Sequence, residues 1–188
     1  MKHLGTVKME TPRLILRPFV RSDAEAAYRN WCSDDEVTKF LRWPSHSSVA
    51  VTQMVLDDWI AQYEKPDFYQ WAIVPKELGE PIGTISVVEM DNRVDLVHIG
   101  YCIGRKWWGQ GITTEAFQRL IPFFFEEMGV NRVESCHDPN NPGSGAVMRK
   151  CGLHFEAVLR QRDFSNQGIV DMAMYALLRE EYLKGKEK

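Results

Sequence analysis

The sequence predicts a mixed α/β fold, and three observations support this prediction. Runs of β-like composition alternate with segments in which apolar residues recur at helical spacing. Turn-forming segments at 76–80 and 90–93 separate the β-like runs in the middle of the chain, as in an antiparallel meander. A length of 188 residues is enough for a substantial hydrophobic core. We therefore expect residues 1–188 to form a single domain.

The N-terminal half begins with a predicted strand at 14–16 that stops near Pro18. Helices are expected from about residue 22 to 31 and from about 48 to 63. Ser22 or Asp23 can cap the first helix, because a short side-chain oxygen accepts from the free N–H groups of the first turn. Three further β-like runs then lie at 68–74, 81–89 and 96–103.

A long helix follows, with apolar residues at helical spacing from Thr113 to Met128. Pro122 has no N–H to donate, so we expect a kink at 118–122 or an earlier helix end. The remaining predicted elements are a strand at 132–136, a short helix at 144–150, and two terminal strands at 153–162 and 169–177.

A glycine loop connects the strand at 96–103 to the long helix. Gly109 and Gly111 have no Cβ atoms where a ligand must approach, and the unpaired N–H groups of the first helical turn can hold an anion. The loop lacks the G-x-x-x-x-G-K-S/T pattern and the third glycine of the dinucleotide fingerprint. It therefore predicts a phosphate or pyrophosphate ligand, with an ordinary glycine-containing helix start as the alternative.

Three motifs occur along the chain. The first is Thr11–Arg17. The second is Lys106–Gly111, which matches the pattern R/Q-x-x-G-x-G/A with lysine at the first position, and Thr114-Glu115-Ala116 comes after it. Asn141–Ser144 with 147–153 then follows N-x-x-S and V-x-x-K-x-G-F, with leucine at the last position. Over about residues 9–183 the sequence resembles the GNAT superfamily of acetyl-CoA-dependent N-acetyltransferases, in the branch of the ribosomal-protein N-terminal (RimJ/RimL-type) enzymes.

This resemblance implies a central, mostly antiparallel sheet flanked by helices, whose two middle strands splay apart at a V-shaped opening. The pantetheine arm of the cosubstrate acetyl-CoA would enter this opening and pair with backbone amides of Tyr101, Cys102 and Ile103. The pyrophosphate would lie on the loop formed by Lys106, Trp107, Trp108, Gly109, Gln110, Gly111 and Ile112. Asn141 would bond the pantetheine arm, with a turn-forming role as the alternative. Trp107 and Trp108 are expected to pack and shape the loop.

For acid–base chemistry we expect His98 to accept the proton of the amine, since it lies where family members often have a glutamate. Its reference pKa of about 6.5 leaves it mostly neutral at pH 7. The alternative is a half-exposed strand residue, and Glu89 is the next candidate. The family's acid tyrosine is replaced by Met148, which cannot donate a proton. Ser144 is expected to act as the acid or as a helix cap.

The predicted function is direct transfer of an acetyl group from acetyl-CoA to a primary amine, either a protein N-terminus or a small molecule. We expect no acyl-enzyme, because no cysteine is expected to have the histidine partner or the family position of a nucleophile, and Cys102 is the thiol to test. The alternative is a non-catalytic module that binds or senses acyl-CoA. A nucleotide-dependent phosphoryl enzyme would need a phosphate lysine and metal-binding carboxylates, which the sequence does not show convincingly.

Composition gives no reason to expect nucleic acid, a metal ion or a membrane as a partner. A formal charge of −3 gives no general reason to expect nucleic-acid binding. The four cysteines lack metal-ligand spacing, and His137 with Asp138 is expected to be an ordinary strand end, so no metal is predicted. No signal-peptide core or run of about 18 apolar residues is present, which predicts a cytoplasmic protein without membrane contact.

Three loops are expected to select the amine acceptor, and exposed strands could support a homodimer. These loops lie around 40–48, 90–95 and 163–168.

Overall fold

An eight-stranded sheet forms the centre of the protein in this computed structural model, which describes residues 1–186. The strand order is β1-β2-β3-β4-β5-β6-β8-β7, and every neighbouring pair is antiparallel except β5 with β6. The strands are β1 (Met9–Glu10), β2 (Leu14–Arg17), β3 (Gln70–Pro75), β4 (Gly83–Asp91), β5 (Leu96–Ile103), β6 (Arg132–His137), β7 (His154–Ser165) and β8 (Gly168–Leu178). The predicted fold class is confirmed.

The α-helices are α1 (Ala24–Ala27), α2 (Asp35–Thr38), α3 (Val49–Gln62), α4 (Ile112–Pro122), α5 (Pro142–Lys150) and α6 (Arg179–Lys186). Two apolar clusters hold them to the sheet. One contains Trp71, Phe117 and Phe124, and the other contains Phe19, Trp31 and Leu56. Fully burying an aliphatic or phenylalanine side chain stabilises a fold by roughly 1.5–3 kcal/mol.

The boundaries of β5 and α3 agree closely with the pattern-based prediction, whereas the prediction for the first helix needs correction. The expected continuous helix at 22–31 is divided into a 3₁₀ turn (Arg21–Asp23), α1 and a π-helical turn (Tyr28–Cys32). The long helix changes at Pro122 from α-helical to π-helical bonding, which continues over Phe123–Met128. Pro122 has no N–H for the α-helical ladder, so the expected irregularity lies at this residue.

The pairing between β5 and β6 is short. Only three pairs form between these two strands, ending at His98 with Glu134, although β5 continues to Ile103. The first carbonyl beyond the last pair, that of Ile99, accepts a hydrogen bond of 2.7 Å from the Ser135 side chain instead of from a backbone N–H. The two strands therefore separate after His98 and leave an opening in the middle of the sheet.

Gly104 ends β5 in a crowded position. A Cβ atom there would lie 2.2 Å from the Asn30 carbonyl oxygen and 2.7 Å from the Trp107 ring. The Gly104 N–H donates to the Ile82 carbonyl at 2.9 Å. Because only glycine fits this contact, the chain leaves β5 at a fixed position relative to the loop that follows.

Candidate active site

The unpaired edge of β5 offers backbone groups to the opening. Along an antiparallel strand, the backbone N–H and C=O groups of alternate residues point toward one neighbouring strand and then the other. The Gly104 N–H donates to Ile82 on the β4 side, so the backbone of every second residue before Gly104 also faces β4. The backbone of Tyr101 and Ile103 therefore faces the opening, whereas that of Cys102 faces Thr84 in β4. The expectation that Cys102 would supply an amide to the cofactor is wrong for this reason.

Both glycines of the loop have a left-handed backbone conformation. Gly109 and Gly111 both have a φ of +73°, and a Cβ at Gly109 would meet no atom within 4 Å. Among the described residues, no side chain caps the N-terminus of α4, whose first residue is Ile112. The N–H groups of the first turn of α4 are therefore open to an anion beside a loop without side-chain bulk.

Side chains hold this loop in place. The Trp108 indole N–H donates to the Ile103 carbonyl at 2.9 Å, and the Gln110 side-chain amide donates to the Lys106 carbonyl at 2.9 Å. Trp107 packs against the apolar cluster of α4, and the Lys106 ammonium lies 5.5 Å from the centre of the Trp107 ring. Both tryptophans therefore contact the scaffold as expected, while the Lys106 side chain stays exposed.

Glu115 links the loop to the first sequence motif. Its carboxylate accepts hydrogen bonds from the Thr11 hydroxyl at 2.6 Å and from Arg13 Nε at 2.6 Å. Arg13 also donates to the Gln110 carbonyl at 3.1 Å. Burial would raise the pKa of Glu115, but the contacts with Thr11 and Arg13 outweigh it and lower the pKa. The T-P-R and T-E-A motifs, about a hundred residues apart, thus form one structural unit.

The N-terminus of α5 carries two polar side chains, Asn141 and Ser144, of which Ser144 contacts Tyr101. The Ser144 hydroxyl donates to the Tyr101 hydroxyl at 3.0 Å, and the Tyr101 hydroxyl donates to the Ser144 carbonyl at 2.8 Å. Burial raises the pKa of Tyr101, so its phenol remains protonated. Asn141, rather than Ser144, is the N-cap residue. Within residues 1–186 no hydrogen bond involves the Asn141 side-chain amide, which leaves it able to bind a ligand.

A Cys–His–Glu relay lies where the two strands separate, and sequence reasoning missed it. His98 Nε2 is 3.3 Å from Cys136 Sγ, and His98 Nδ1 is 3.1 Å from Glu134 Oε1. Glu134 also accepts from Arg132 Nε at 2.7 Å. The expectation that no cysteine has a histidine partner is wrong, because β5 and β6 bring together residues 38 positions apart.

The relay makes His98 a weak proton acceptor. Burial alone would lower the pKa of His98, but its contacts with Cys136 and Glu134 outweigh burial and raise the pKa to about 9. Burial would likewise raise the pKa of Glu134, yet His98 and Arg132 hold it below its usual value. At pH 7 the imidazole is therefore mainly an imidazolium, which has no free lone pair for an amine proton. The expected role of His98 as the base does not fit this environment.

Glu89 points to the same face of the sheet as His98. A β-bulge shifts the register of β4 between Val87 and Glu89, so that Glu89 pairs directly with His98. Residues paired across two strands project to one face. The Glu89 side chain is exposed. The Asp163 hydrogen bond raises the pKa of Arg42, and the charges of Cys136 and Glu89 raise it to a smaller extent. Arg42 therefore lies near these two side chains.

Hydrogen bonds connect two of the three predicted acceptor loops, those around 40–48 and 163–168. The Asn166 side-chain nitrogen lies 2.8–3.1 Å from the carbonyl oxygens of Thr38, Leu41 and Trp43. Arg42 donates to Asp163 at 2.7 Å and lies 5.3 Å from the centre of the Phe164 ring. The turn between β7 and β8 and the connection before α3 therefore form one wall beside the opening.

Cys102 and His137, the other candidate groups, contact only the scaffold of the protein. Cys102 packs against the apolar cluster of Phe19 and Trp31, and burial raises the pKa of its thiol, so it is a poor nucleophile. The buried His137 ring bonds the Asp138 carbonyl through Nδ1 at 2.8 Å. Among residues 1–186 no group of three His, Cys, Asp or Glu side chains could hold a metal ion. In the same range no helix is long and apolar enough to cross a membrane.

Comparison with known proteins gives a consistent result. The family description "Acetyltransferase (GNAT) domain" matches residues 13–154. The chain is 31% identical over 175 residues to "Uncharacterized N-acetyltransferase p20" from Bacillus licheniformis, covering 92% of this chain and 96% of that protein.

Two solved structures share the fold. RimL, a ribosomal L7/L12 α-N-protein acetyltransferase in complex with coenzyme A that is disulfide-bonded to a cysteine, superimposes with a TM-score of 0.82 at 21% identity, over 93% of this chain and 99% of that one. The microcin C7 self-immunity acetyltransferase MccE, in complex with acetyl-CoA and AMP, gives a TM-score of 0.80 at 22% identity, over 89% of this chain and 93% of that one.

The relay predicts an unusual titration for His98. We expect its imidazole to lose a proton near pH 9 rather than near the reference value of about 6.5. Long-range ¹H–¹⁵N NMR spectra across pH 5–10 measure this titration directly. In Glu134→Gln the midpoint of the His98 titration should fall, because one anionic partner is lost.

The sign of this shift also has a consequence for stability. Because the folded-state pKa lies above the unfolded one, the contribution of protonated His98 is complete below about pH 6.5 and is lost as pH rises through about 9. A His98 midpoint at or below the reference value would contradict the described relay.

Proposed function

This chain belongs to the GNAT family of acetyltransferases, and we propose that it transfers the acetyl group of acetyl-CoA directly to a primary amine held at the β5–β6 opening. The observation that carries the proposal is the combination of an unpaired β5 edge with an uncapped, glycine-preceded helix N-terminus at its end. This combination offers a backbone edge for an extended arm and an anion site for its phosphates.

The residues present fit acetyl-CoA. The backbone of Tyr101 and the N–H of Ile103 would pair with the amides of the pantetheine arm, and the free side-chain amide of Asn141 would bond the same arm. Gly109, Gly111 and the first turn of α4 would hold the pyrophosphate. Acetyl-CoA would supply the acetyl group as a thioester, whose carbonyl carbon is open to attack by a neutral amine.

Glu89 is the proposed proton acceptor in place of His98. Its carboxylate is exposed on the face of the sheet that carries the relay. A carboxylate at this place can accept a proton through a bridging water. The imidazolium of His98 beside it cannot compete for that proton.

The hydroxyl pair of Ser144 and Tyr101 is the proposed proton donor to the departing thiolate. Sequence reasoning considered Ser144 alone, since Met148 occupies the family's tyrosine position. The phenol oxygen of Tyr101 lies 3.0 Å from Ser144 Oγ. The Tyr101 hydroxyl, which carries its proton at neutral pH, can replace a proton that leaves Ser144, and Tyr101 then regains a proton from water.

Direct transfer is favoured although Cys136 lies at the opening. Moving the acetyl group to Cys136 would give another thioester of similar reactivity, which adds a step without easing attack by the amine. RimL, which shares the fold, holds CoA in a disulfide with a cysteine, so a thiol in this fold can lie within reach of the CoA sulfur.

The proposed acceptor is a peptide N-terminus. A peptide α-amine has a reference pKa of about 7.7–8.0, whereas a lysine side chain has one of about 10.4. The α-amine loses its proton more readily, so more of it is present as the neutral nucleophile. The likeness to RimL supports the same class, and the joined wall of 38–43 and 163–168 would contact the residues that follow the amine.

Cofactor binding can be tested at the loop by isothermal titration calorimetry with acetyl-CoA and CoA. In Gly109→Glu/Gly111→Glu, bulk and negative charge occupy the proposed pyrophosphate position, and we expect affinity to fall by about 100-fold or more, which corresponds to at least ~2.7 kcal/mol.

The matched control is Gly109→Ala/Gly111→Ala, which introduces the same strain at positive φ without the charge. We expect this variant to retain most of the affinity. Equal binding by wild type and the glutamate variant, or no binding by folded wild type, would contradict the proposed site.

The role of Glu89 can be tested by steady-state kinetics with a short peptide acceptor. Glu89→Gln should lower kcat by about 10²–10⁴-fold, the usual contribution of a general base, with the affinity for acetyl-CoA unchanged. The exposed Glu77, in the turn after β3, gives the control Glu77→Gln, which should match wild type. If kcat of Glu89→Gln equals that of wild type, Glu89 is not the base.

A further inference from the structure

The Cys–His–Glu relay is a nucleophile site that direct acetyl transfer does not use. His98 contacts a thiol on one side and a carboxylate on the other, and Arg132 holds that carboxylate through a second hydrogen bond. Arg132 is itself anchored to Glu156 at 2.6 Å. A thiol, an imidazole and an orienting carboxylate in contact form the arrangement that activates catalytic thiols.

Charged side chains surround Cys136. The His98 imidazolium is in contact, and the Arg42 guanidinium is close enough for the Cys136 charge to affect its pKa. The carboxylate of Glu134 faces the other nitrogen of the ring, and Glu89 lies across the strand pair on the same face. A thiolate beside cations is the reactive form of cysteine.

The other three cysteines lack these features. Cys32, Cys102 and Cys151 lie in the apolar clusters, and burial raises the pKa of Cys32 and Cys151 to about 12 and that of Cys102 still higher. Cys136 is only partly buried. Chemistry that needs a thiolate should therefore select Cys136 over the other three thiols.

The position of Cys136 identifies the reaction partner. Pairing with β5 stops at Glu134, and Cys136 is the next residue of β6 on the same face, beside the unpaired edge of β5. That edge is the proposed site of the pantetheine arm, so the inference rests on the proposed function. The thiol brought to this point by a bound cofactor is that of CoA itself.

We propose that Cys136 is a redox modification site, where its thiolate exchanges with the disulfide form of CoA and leaves CoA covalently attached in the opening. The thiolate attacks one sulfur of the CoA disulfide, an S–S bond forms between Cys136 and one CoA, and the second CoA leaves as a thiolate that takes up a proton. No further oxidant is needed. The attached CoA excludes acetyl-CoA, and a small thiol reverses the reaction.

Intact-mass spectrometry with peptide mapping tests this site. Purified protein is incubated with CoA disulfide, and both adduct formation and acetyl transfer are followed over time. We expect one CoA adduct per chain on Cys136, loss of transfer in step with it, and recovery of both after dithiothreitol. Bound acetyl-CoA should slow the modification.

Variants separate the relay from simple exposure of a thiol. Cys136→Ser should form no adduct, and Cys102→Ala should react at the wild-type rate. His98→Gln should react about tenfold or more slowly, because the imidazolium stabilises the reacting thiolate. Glutathione disulfide at the same concentration should react more slowly than CoA disulfide, since it does not fit the cofactor site.

Three results would overturn the inference: an adduct on another cysteine, a wild-type rate in His98→Gln, or equal rates with both disulfides. Calorimetry with CoA and acetyl-CoA distinguishes a failure of this inference from a failure of the proposed function. Wild type that binds CoA but forms no adduct would contradict this inference alone. Wild type that binds neither CoA nor acetyl-CoA would contradict the proposed function.

Discussion

The early end of the β5–β6 ladder is the constraint on which the rest of the site depends. Three parallel pairs hold the strands together, and the Ser135 side chain takes over the next carbonyl. Continued pairing would bury the backbone of Tyr101 in a sheet, whereas separation leaves it able to bind a ligand. The same separation brings the glycine loop, the start of α5 and the Cys–His–Glu relay to one opening.

The scaffold keeps this opening in a fixed shape through contacts between distant parts of the chain. Gly104 allows the end of β5 to touch Asn30, and Glu115 connects α4 to Thr11 and Arg13. Asn166 joins two loops about 125 residues apart on the acceptor side. Each contact fixes backbone rather than a reacting atom, so a cofactor would meet an organised site and lose less freedom in ordering it.

The features that follow from local sequence were predicted well. Alternating residues in 96–103 specify β5, and the glycines at 109 and 111 specify a loop that only residues without Cβ adopt freely. Features that arise from pairing between distant strands were not predicted. His98 was expected to be a neutral base, because nothing near it in sequence reveals Glu134 and Cys136 on the adjacent strand. The face of the Cys102 backbone likewise depends on the register with β4, which composition does not determine.

The central claim is that the unpaired β5 edge receives the cofactor, and amide hydrogen exchange by NMR tests it most directly. In the free protein the N–H of Cys102 should exchange slowly, since it faces β4, whereas those of Tyr101 and Ile103 should exchange faster. Addition of CoA should protect Tyr101 and Ile103 and leave Cys102 nearly unchanged. If CoA binds while the exchange of Tyr101 and Ile103 is unaffected, the cofactor does not lie along this edge and the account is wrong.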